Sequence, residues 1–326
     1  MKALLCKSFG TPDNLLVEDI QPPELAANQV RVRVLACGVN FPDLLMIAGK
    51  YQIQPPMPFS PGAEVCGEIV ELGKACRNLE IGQRVIAMCG SGGMAEEVCV
   101  AETAAIPIAA SIPTETAAGF LLAYGTAYHA LKQRAQLAAA ETLLVLGAAG
   151  GVGLAAVELG KIMGAHVIAA ASSEAKLHLA RDYGADELVN YANVELKESI
   201  RGLTDGRGVD VIFDPVGGDR FDDCLRSVAW NGRVLVVGFA GGKIQSIPAN
   251  LPLLKGSAIV GVFWGRFVEC DAAVNRDNNR ELLKYLVDGR IKPHIAAVFP
   301  LDDGARALEM LANRAAMGKV IVAVAA

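Results

Sequence analysis

The stretch Thr142-Leu-Leu-Val-Leu-Gly-Ala-Ala-Gly-Gly-Val-Gly153 decides the fold. Thr142 to Leu146 is a short apolar run, the pattern of a parallel strand buried on both faces. It leads into Ala148-x-Gly150-x-x-Gly153 and then into Leu154-Ala-Ala-Val-Glu-Leu-Gly-Lys-Ile-Met163, which reads as a helix. Strand, tight glycine turn and helix in that order make the first unit of a dinucleotide-binding fold. Gly150 lets the backbone approach a pyrophosphate, Gly153 lets helix and strand pack closely, and the helix start turns unpaired N–H groups toward phosphate charge. Ala148 stands where the fingerprint has its first glycine, and a glycine triplet alone is weak evidence. A second strand, His166-Val-Ile-Ala-Ala170, follows after one helix length and completes the βαβ spacing.

The rest of the chain sets the bounds. Its 326 residues suffice for two domains, and 52% hydrophobic with 20% charged residues suits a well-packed globule. No apolar run approaches the ~20 residues of a membrane span. A net charge of -5 without basic clusters argues against nucleic acid as a partner. The eight cysteines contain no C-x-x-C pair and lie mostly in strand-like runs, as reduced buried thiols do. With no signal-peptide core at Met1-Lys-Ala-Leu-Leu-Cys-Lys7, the expected location is cytoplasmic.

Residues 1–122 read as a β-rich domain, with strands at Val30–Val34, Val65–Glu71 and Arg84–Met88. Gln54-Pro-Pro-Met-Pro-Phe-Ser-Pro-Gly62 can be neither helix nor central strand and reads as a rigid loop. Thr114 to Leu131 reads as a helical region bridging two domains, with His129 in it as a surface or core histidine. Residues 123–261 alternate strand and helix, with further strands at Glu187–Tyr191, Val209–Phe213, Arg233–Val237 and Ser257–Phe263. Six strands with intervening helices predict an α/β fold with a Rossmann-type, doubly wound parallel sheet. Helices at Asn278–Asp288 and Leu301–Asn313 precede a last strand, Lys319–Ala323, which is returned to the first domain; that domain is therefore 1–122 with 262–326.

The end of the second strand bears on the cofactor. An NAD site places Asp or Glu there for the ribose hydroxyls. Here the position falls on Ala171, followed by Ser172-Ser-Glu-Ala-Lys176. Ser172 and Lys176 can hold a 2′-phosphate, and Tyr191 can close the same pocket, so NADPH (NADP+) is expected ahead of NAD. Glu174 is the one objection, met if it points to solvent as an early helical residue.

Several motifs carry a resemblance over essentially the full length: Ala36-Cys-Gly-Val-Asn-Phe-Pro-Asp43, Pro61-Gly-Ala-Glu64, Ala148-Ala-Gly-Gly-Val-Gly153, Asp214-Pro-Val-Gly-Gly218, Val237-Gly-Phe-Ala-Gly-Gly242, Gly261-Val-Phe-Trp-Gly265 and Gly318-Lys319. With these the chain resembles the medium-chain dehydrogenase/reductase superfamily, in its zinc-independent quinone oxidoreductase branch. The resemblance implies a GroES-like catalytic domain beside the Rossmann domain. It also implies that Asn40, Gly238, Phe239, Phe263, Trp264 and Gly265 surround the nicotinamide. Gly150, Gly151, Val152 and Gly153 would hold the pyrophosphate, and Val216 would flank the adenosine. The resemblance also places Tyr51 at the mouth of the substrate cleft, in reach to donate a hydrogen bond or a proton; the alternative reading is a packing tyrosine. Many members carry a second tyrosine at the position of Leu45.

Where zinc-dependent relatives place their ligands, this chain has Asn40, Ala63 and, at about the third position, Leu122, and their four-cysteine loop is absent around Ser91–Met94. No metal is expected, because zinc needs converging N, S or O ligands. The chemistry left is hydride delivery to an acceptor already electrophilic, a quinone or an α,β-unsaturated carbonyl. Rival readings are an enoyl-thioester (enoyl-CoA) reductase and a non-catalytic nucleotide binder acting as a sensor, structural protein or RNA binder. The apolar edge strand 257–263, unblunted by proline or charge, predicts a homodimer.

Overall fold

The structure, a computed structural model, describes residues 1–324. Along the chain come β1 (Lys2–Leu5), β2 (Leu16–Asp19), β3 (Gln29–Val39), α1 (Phe41–Ile47), β4 (Glu64–Leu72), β5 (Arg84–Met88), β6 (Glu97–Ala101), β7 (Ala105–Pro107), α2 (Thr114–Ala118) and α3 (Leu121–Tyr128). A π-helical segment, His129–Ala135, follows. Next are β8 (Thr142–Leu146), α4 (Gly151–Ile162), β9 (His166–Ala171), α5 (Glu174–Asp182), β10 (Glu187–Asn190), α6 (Leu196–Leu203), β11 (Val209–Asp214), α7 (Phe221–Ser227), β12 (Val228–Val236), α8 (Asn250–Lys255) and β13 (Ala258–Gly261). The chain closes with α9 (Trp264–Cys270), α10 (Ala272–Val287), β14 (Ile295–Pro300), α11 (Gly304–Ala312) and β15 (Lys319–Ala323).

Two compact units emerge: Met1–Leu122 with Pro293–Ala326, and Ala123–Lys292. The sequence reading returned the chain to the first domain at 262. In the structure α9 and α10 go with the second unit, because Trp264 packs on Gly125, Phe267 on His129 and Asn278 on Gln133. Return comes instead at Pro293.

Unit 1 is built on β3. Its alternation buries Val30, Val32 and Val34, while Arg31 and Arg33 face outward and pair across the strand with Glu71 at 2.9 Å and Glu68 at 2.7 Å. Such exposed pairs add little stability; the buried valines supply most of it, at about 1.5–3 kcal/mol each. One edge of β3 pairs antiparallel with β4; the other pairs with β6 over its first half and with β15 over its second. The sheet therefore needs the last strand of the chain beside one of the first.

Unit 2 holds a parallel six-stranded sheet in the order β10-β9-β8-β11-β12-β13. Its central strand β8 is buried at every position, which is why its sequence lacks alternation. The order reverses between β8 and β11, the switch point at which open α/β sheets take ligands beyond the strand C-termini. β13 ends the sheet and is shorter than the reading 257–263, since α9 begins at Trp264. The helical region predicted over 114–131 is broken into α2, α3 and the π-helical segment.

Candidate active site

In unit 1, three adjacent strand ends converge. The register Val320↔Val39 sets Lys319, at the head of β15, opposite Asn40 at the end of β3, and Gly38↔Glu64 sets Glu64, at the head of β4, on the other side. Lys319 Nζ donates to Val39 O at 3.0 Å, Asn40 Oδ1 at 2.5 Å and Glu64 Oε1 at 3.0 Å, so each of its three protons has an acceptor. Asn40 Nδ2 donates to Gly38 O at 3.1 Å and Glu64 Oε1 at 3.0 Å. The Leu122 N–H donates to Glu64 Oε2 at 2.9 Å. All three side chains are buried. The Asn40 amide thus has both N–H donors engaged within the protein.

Asn40 also caps α1, and Asp43 answers it: Asp43 Oδ2 accepts the Asn40 N–H at 2.8 Å and Oδ1 the Gly62 N–H at 3.0 Å. Complete burial pushes the Asp43 carboxyl up to about 7, against the pull of those two N–H donors and the Lys319 charge. Tyr51 is half-buried against the same core. Burial, and next the Asp43 charge, raise its phenol, so it stays protonated at neutral pH. Among the described residues its hydroxyl has no hydrogen-bond partner.

In unit 2 every predicted cofactor residue lies just beyond the C-terminus of a strand, along one edge of the sheet. After β8, α4 begins at Gly151 with Gly150 as N-cap, no capping side chain and no acid in its first turn. Gly151, Val152 and Gly153 are that first turn. A Cβ on Gly153 would lie 2.2 Å from Gly147 O, whereas one on Gly150 would meet only Gly147 O at 3.4 Å. The left-handed residue of the turn is Gly147, with φ +57°, one place before the Ala148 that the fingerprint reading had marked as its departure.

After β9, Ala171 is buried at the position of an NAD-site acid, Ser172 is exposed, and Ser173 caps α5 through the Lys176 N–H at a long 3.5 Å. Glu174 is not simply in solvent: its Oε1 accepts Asn190 Nδ2–H at 2.6 Å, one residue before Tyr191. The Tyr191 N–H in turn donates to Ala171 O at 3.1 Å, which joins the ends of β9 and β10. After β11, buried Asp214 accepts the Val216 and Gly217 N–H groups at 2.8 Å each, and Val216 packs on Gly147. The loop after β12 zips onto it through Gly241 N–H to Val216 O at 2.7 Å, with Gly238 against Pro215 and Phe239 against Gly217. After β13, Phe263 and Gly265 are exposed, while Trp264 is buried against Gly125. His129 is a core residue, stacked on Phe267 at 3.9 Å with Nδ1 3.3 Å from Gln133 Oε1.

Sheet order, switch point and glycine turn define a medium-chain dehydrogenase/reductase. The chain matches the family Alcohol dehydrogenase GroES-like domain over residues 26–110 and Zinc-binding dehydrogenase over 151–278. Quinone oxidoreductase-like protein 2 homolog of Nematostella vectensis is 42% identical, over 98% of this chain and 88% of that protein. Quinone oxidoreductase-like protein 2 of Bos taurus is 41% identical, over 98% and 92%. The crystal structure of Escherichia coli quinone oxidoreductase complexed with NADPH superposes with a TM-score of 0.93 at 26% identity, over 99% of this chain and 100% of that one. The chain belongs to the quinone oxidoreductase family of that superfamily.

The zinc in one family name does not fit these residues. Asn40 offers a neutral amide, Ala63 no donor atom, Leu122 a main-chain N–H already given to Glu64, and Glu64 already carries the Lys319 ammonium. Three groups have no role in the sequence reading: Lys319 and Asp43, which enter it only as parts of motifs, and Arg220, whose guanidinium lies 5.4 Å over the Tyr191 ring. A lysine heading the apolar run Lys319-Val-Ile-Val-Ala323 was the one legible signal.

Proposed function

We propose that this chain is a zinc-independent, NADPH-dependent reductase of quinones or α,β-unsaturated carbonyls. The observation that carries the reading is the start of α4: an uncapped, acid-free helix N-terminus behind a turn with no room for a side chain at Gly153. NADPH in the Escherichia coli relative supports the cofactor. Gly150 to Gly153 hold the pyrophosphate, Val216 the adenosine, Ser172, Lys176 and Tyr191 the 2′-phosphate; Gly238, Phe239 and Phe263 to Gly265 serve the nicotinamide end. When bound, NADPH supplies the hydride.

Because Asn40, Ala63 and Leu122 offer no donor set for a metal that would polarise an alcohol, the acceptor this site suits is one already electrophilic, as conjugated carbonyls are. Tyr51, protonated and with a hydroxyl unpartnered among the described residues, holds the substrate oxygen or gives it a proton. Asn40, with its donors engaged, keeps the end of β3 in place beside that site. Homodimerisation through β13 belongs to the proposal; the exposed Trp230, Ile244, Leu253 and Leu254 near that edge support it. So does a cytoplasmic location, in keeping with eight free thiols.

The test is loss of NADPH absorbance on a panel of quinones, enals and enoyl thioesters, with and without chelator, and zinc content by mass spectrometry. Turnover of quinones or enals that survives chelation is expected. One zinc per chain lost together with activity would overturn the zinc-independent mechanism, preference for the thioesters would reassign the substrate, and NADPH binding without any turnover would make the protein a sensor.

A further inference from the structure

We propose that Arg220 is a specificity-determining residue of the cofactor site, a second cation for the 2′-phosphate beside Lys176. The proposal rests on the NADPH reading above. Arg220 closes the short 3-10 turn Gly218–Arg220, immediately after the Asp214–Gly218 loop that leaves β11. Tyr191 and Ser172 follow β10 and β9, on the other side of β8 in the sheet order. The guanidinium nevertheless reaches back across the strand ends to lie 5.4 Å over the Tyr191 ring, within the range of a cation–π contact. Residues from the two sides of β8 in the sheet order thus meet at the Tyr191 ring.

The charge around Arg220 is arranged unusually. Its neighbour Asp219 is taken by Lys243 at 2.6 Å. Asp223 and Glu195 border the same cavity of about 450 Å³ as Arg220 and Tyr191, yet neither forms an ion pair with the guanidinium. Arg220 is half-buried, and among the described residues it makes no hydrogen bond or ion pair; its charge acts on Asp219 only at a distance, so its planar fork of donors is unspent. That fork matches two phosphate oxygens at once, which a lysine ammonium cannot. Ser172 and Lys176 account for one side of a dianion; Arg220 supplies the other.

The experiment titrates NADPH and NADH, and the fragments 2′,5′-ADP and 5′-AMP, against wild type, Arg220→Ala and Arg220→Lys. Arg220→Ala is expected to weaken NADPH and 2′,5′-ADP by about 10- to 100-fold, the range for one charge-assisted contact, and NADH and 5′-AMP by less than about 2-fold. Arg220→Lys is expected to recover part of the loss. Equal weakening of all four ligands would make Arg220 a prop for Tyr191 or for adenine and overturn the proposal, as would no change in any. A wild type selective for NADPH whose selectivity survives in Arg220→Ala sinks this inference alone; a wild type selective for NADH sinks the cofactor reading with it.

Discussion

Replacing Lys319 with Met keeps the length of the side chain and removes its charge. The lysine is 5% exposed and its partner Glu64 0%. Three acceptors lose a donor, and Glu64 keeps only the Asn40 and Leu122 N–H groups in a place water does not reach. Breaking one side of a buried pair costs about 3–5 kcal/mol, mostly the penalty of the orphaned charge, out of a typical total of about 5–15 kcal/mol. Urea unfolding measures it, since at an m-value of about 2–3 kcal/mol per molar the midpoint of the affected transition should fall by roughly 1–2.5 M. Both tryptophans, Trp230 and Trp264, lie in unit 2, so far-UV circular dichroism must show the earlier loss of unit 1 while fluorescence holds. Adding Glu64→Gln removes the orphaned charge and should return about 1.5–3 kcal/mol as a coupling between the sites. A single variant that costs under about 1 kcal/mol, or a double variant no better than the single, refutes the reasoning.

Asp43 sets a pH dependence. Its carboxyl is pushed up to about 7 in the folded protein against about 3.9 unfolded, so its contribution is complete below about pH 4 and is lost as pH rises through 7. Unfolding midpoints from pH 4.5 to 8 should fall more steeply in wild type than in Asp43→Asn, and parallel profiles would contradict the assignment. Lys176→Ala should cost ~1.5–3 kcal/mol of NADPH binding and little for NADH, read by fluorescence titration; equal losses would remove Lys176 from the 2′-phosphate. Val260→Pro deletes a backbone donor from the edge strand β13 and should convert a dimer to monomer or aggregate in light scattering. A parent protein that is monomeric at micromolar concentration rules the edge pairing out.

What could be read from the residues depended on distance along the chain. β5 and β15 were legible to the residue, and β8 with α4 nearly so, because local apolar runs and turn residues mark them. β14 was missed: it is half exposed and ends in Pro300, so it lacks a buried signature. The Asn40–Glu64–Lys319 cluster was out of reach for another reason. Its members are joined by strand pairing over 255 residues, and no local pattern reports which strand ends become neighbours. Glu64 is legible only as the end of the motif Pro61-Gly-Ala-Glu64; its counter-charge needed the fold. The return to unit 1 was placed early for the same reason, since only packing on α3 and the π-helical segment holds α9 and α10 in unit 2.

The pairing of β15 with β3 also has a meaning in time. A ribosome makes Glu64 and then 255 further positions before Lys319 exists, about 13–50 s at about 5–20 residues per second. Unit 2 is contiguous and complete by Lys292, so it can fold on the nascent chain while the unit encoded first is still an open sheet. Throughout that interval residues 36–39 of β3 present an unpaired edge, and a carboxylate destined for the interior waits for its ammonium. Synthesis order thus allows the second unit to fold before the first, and a strand translated after unit 2 is the one that closes the sheet begun ahead of it.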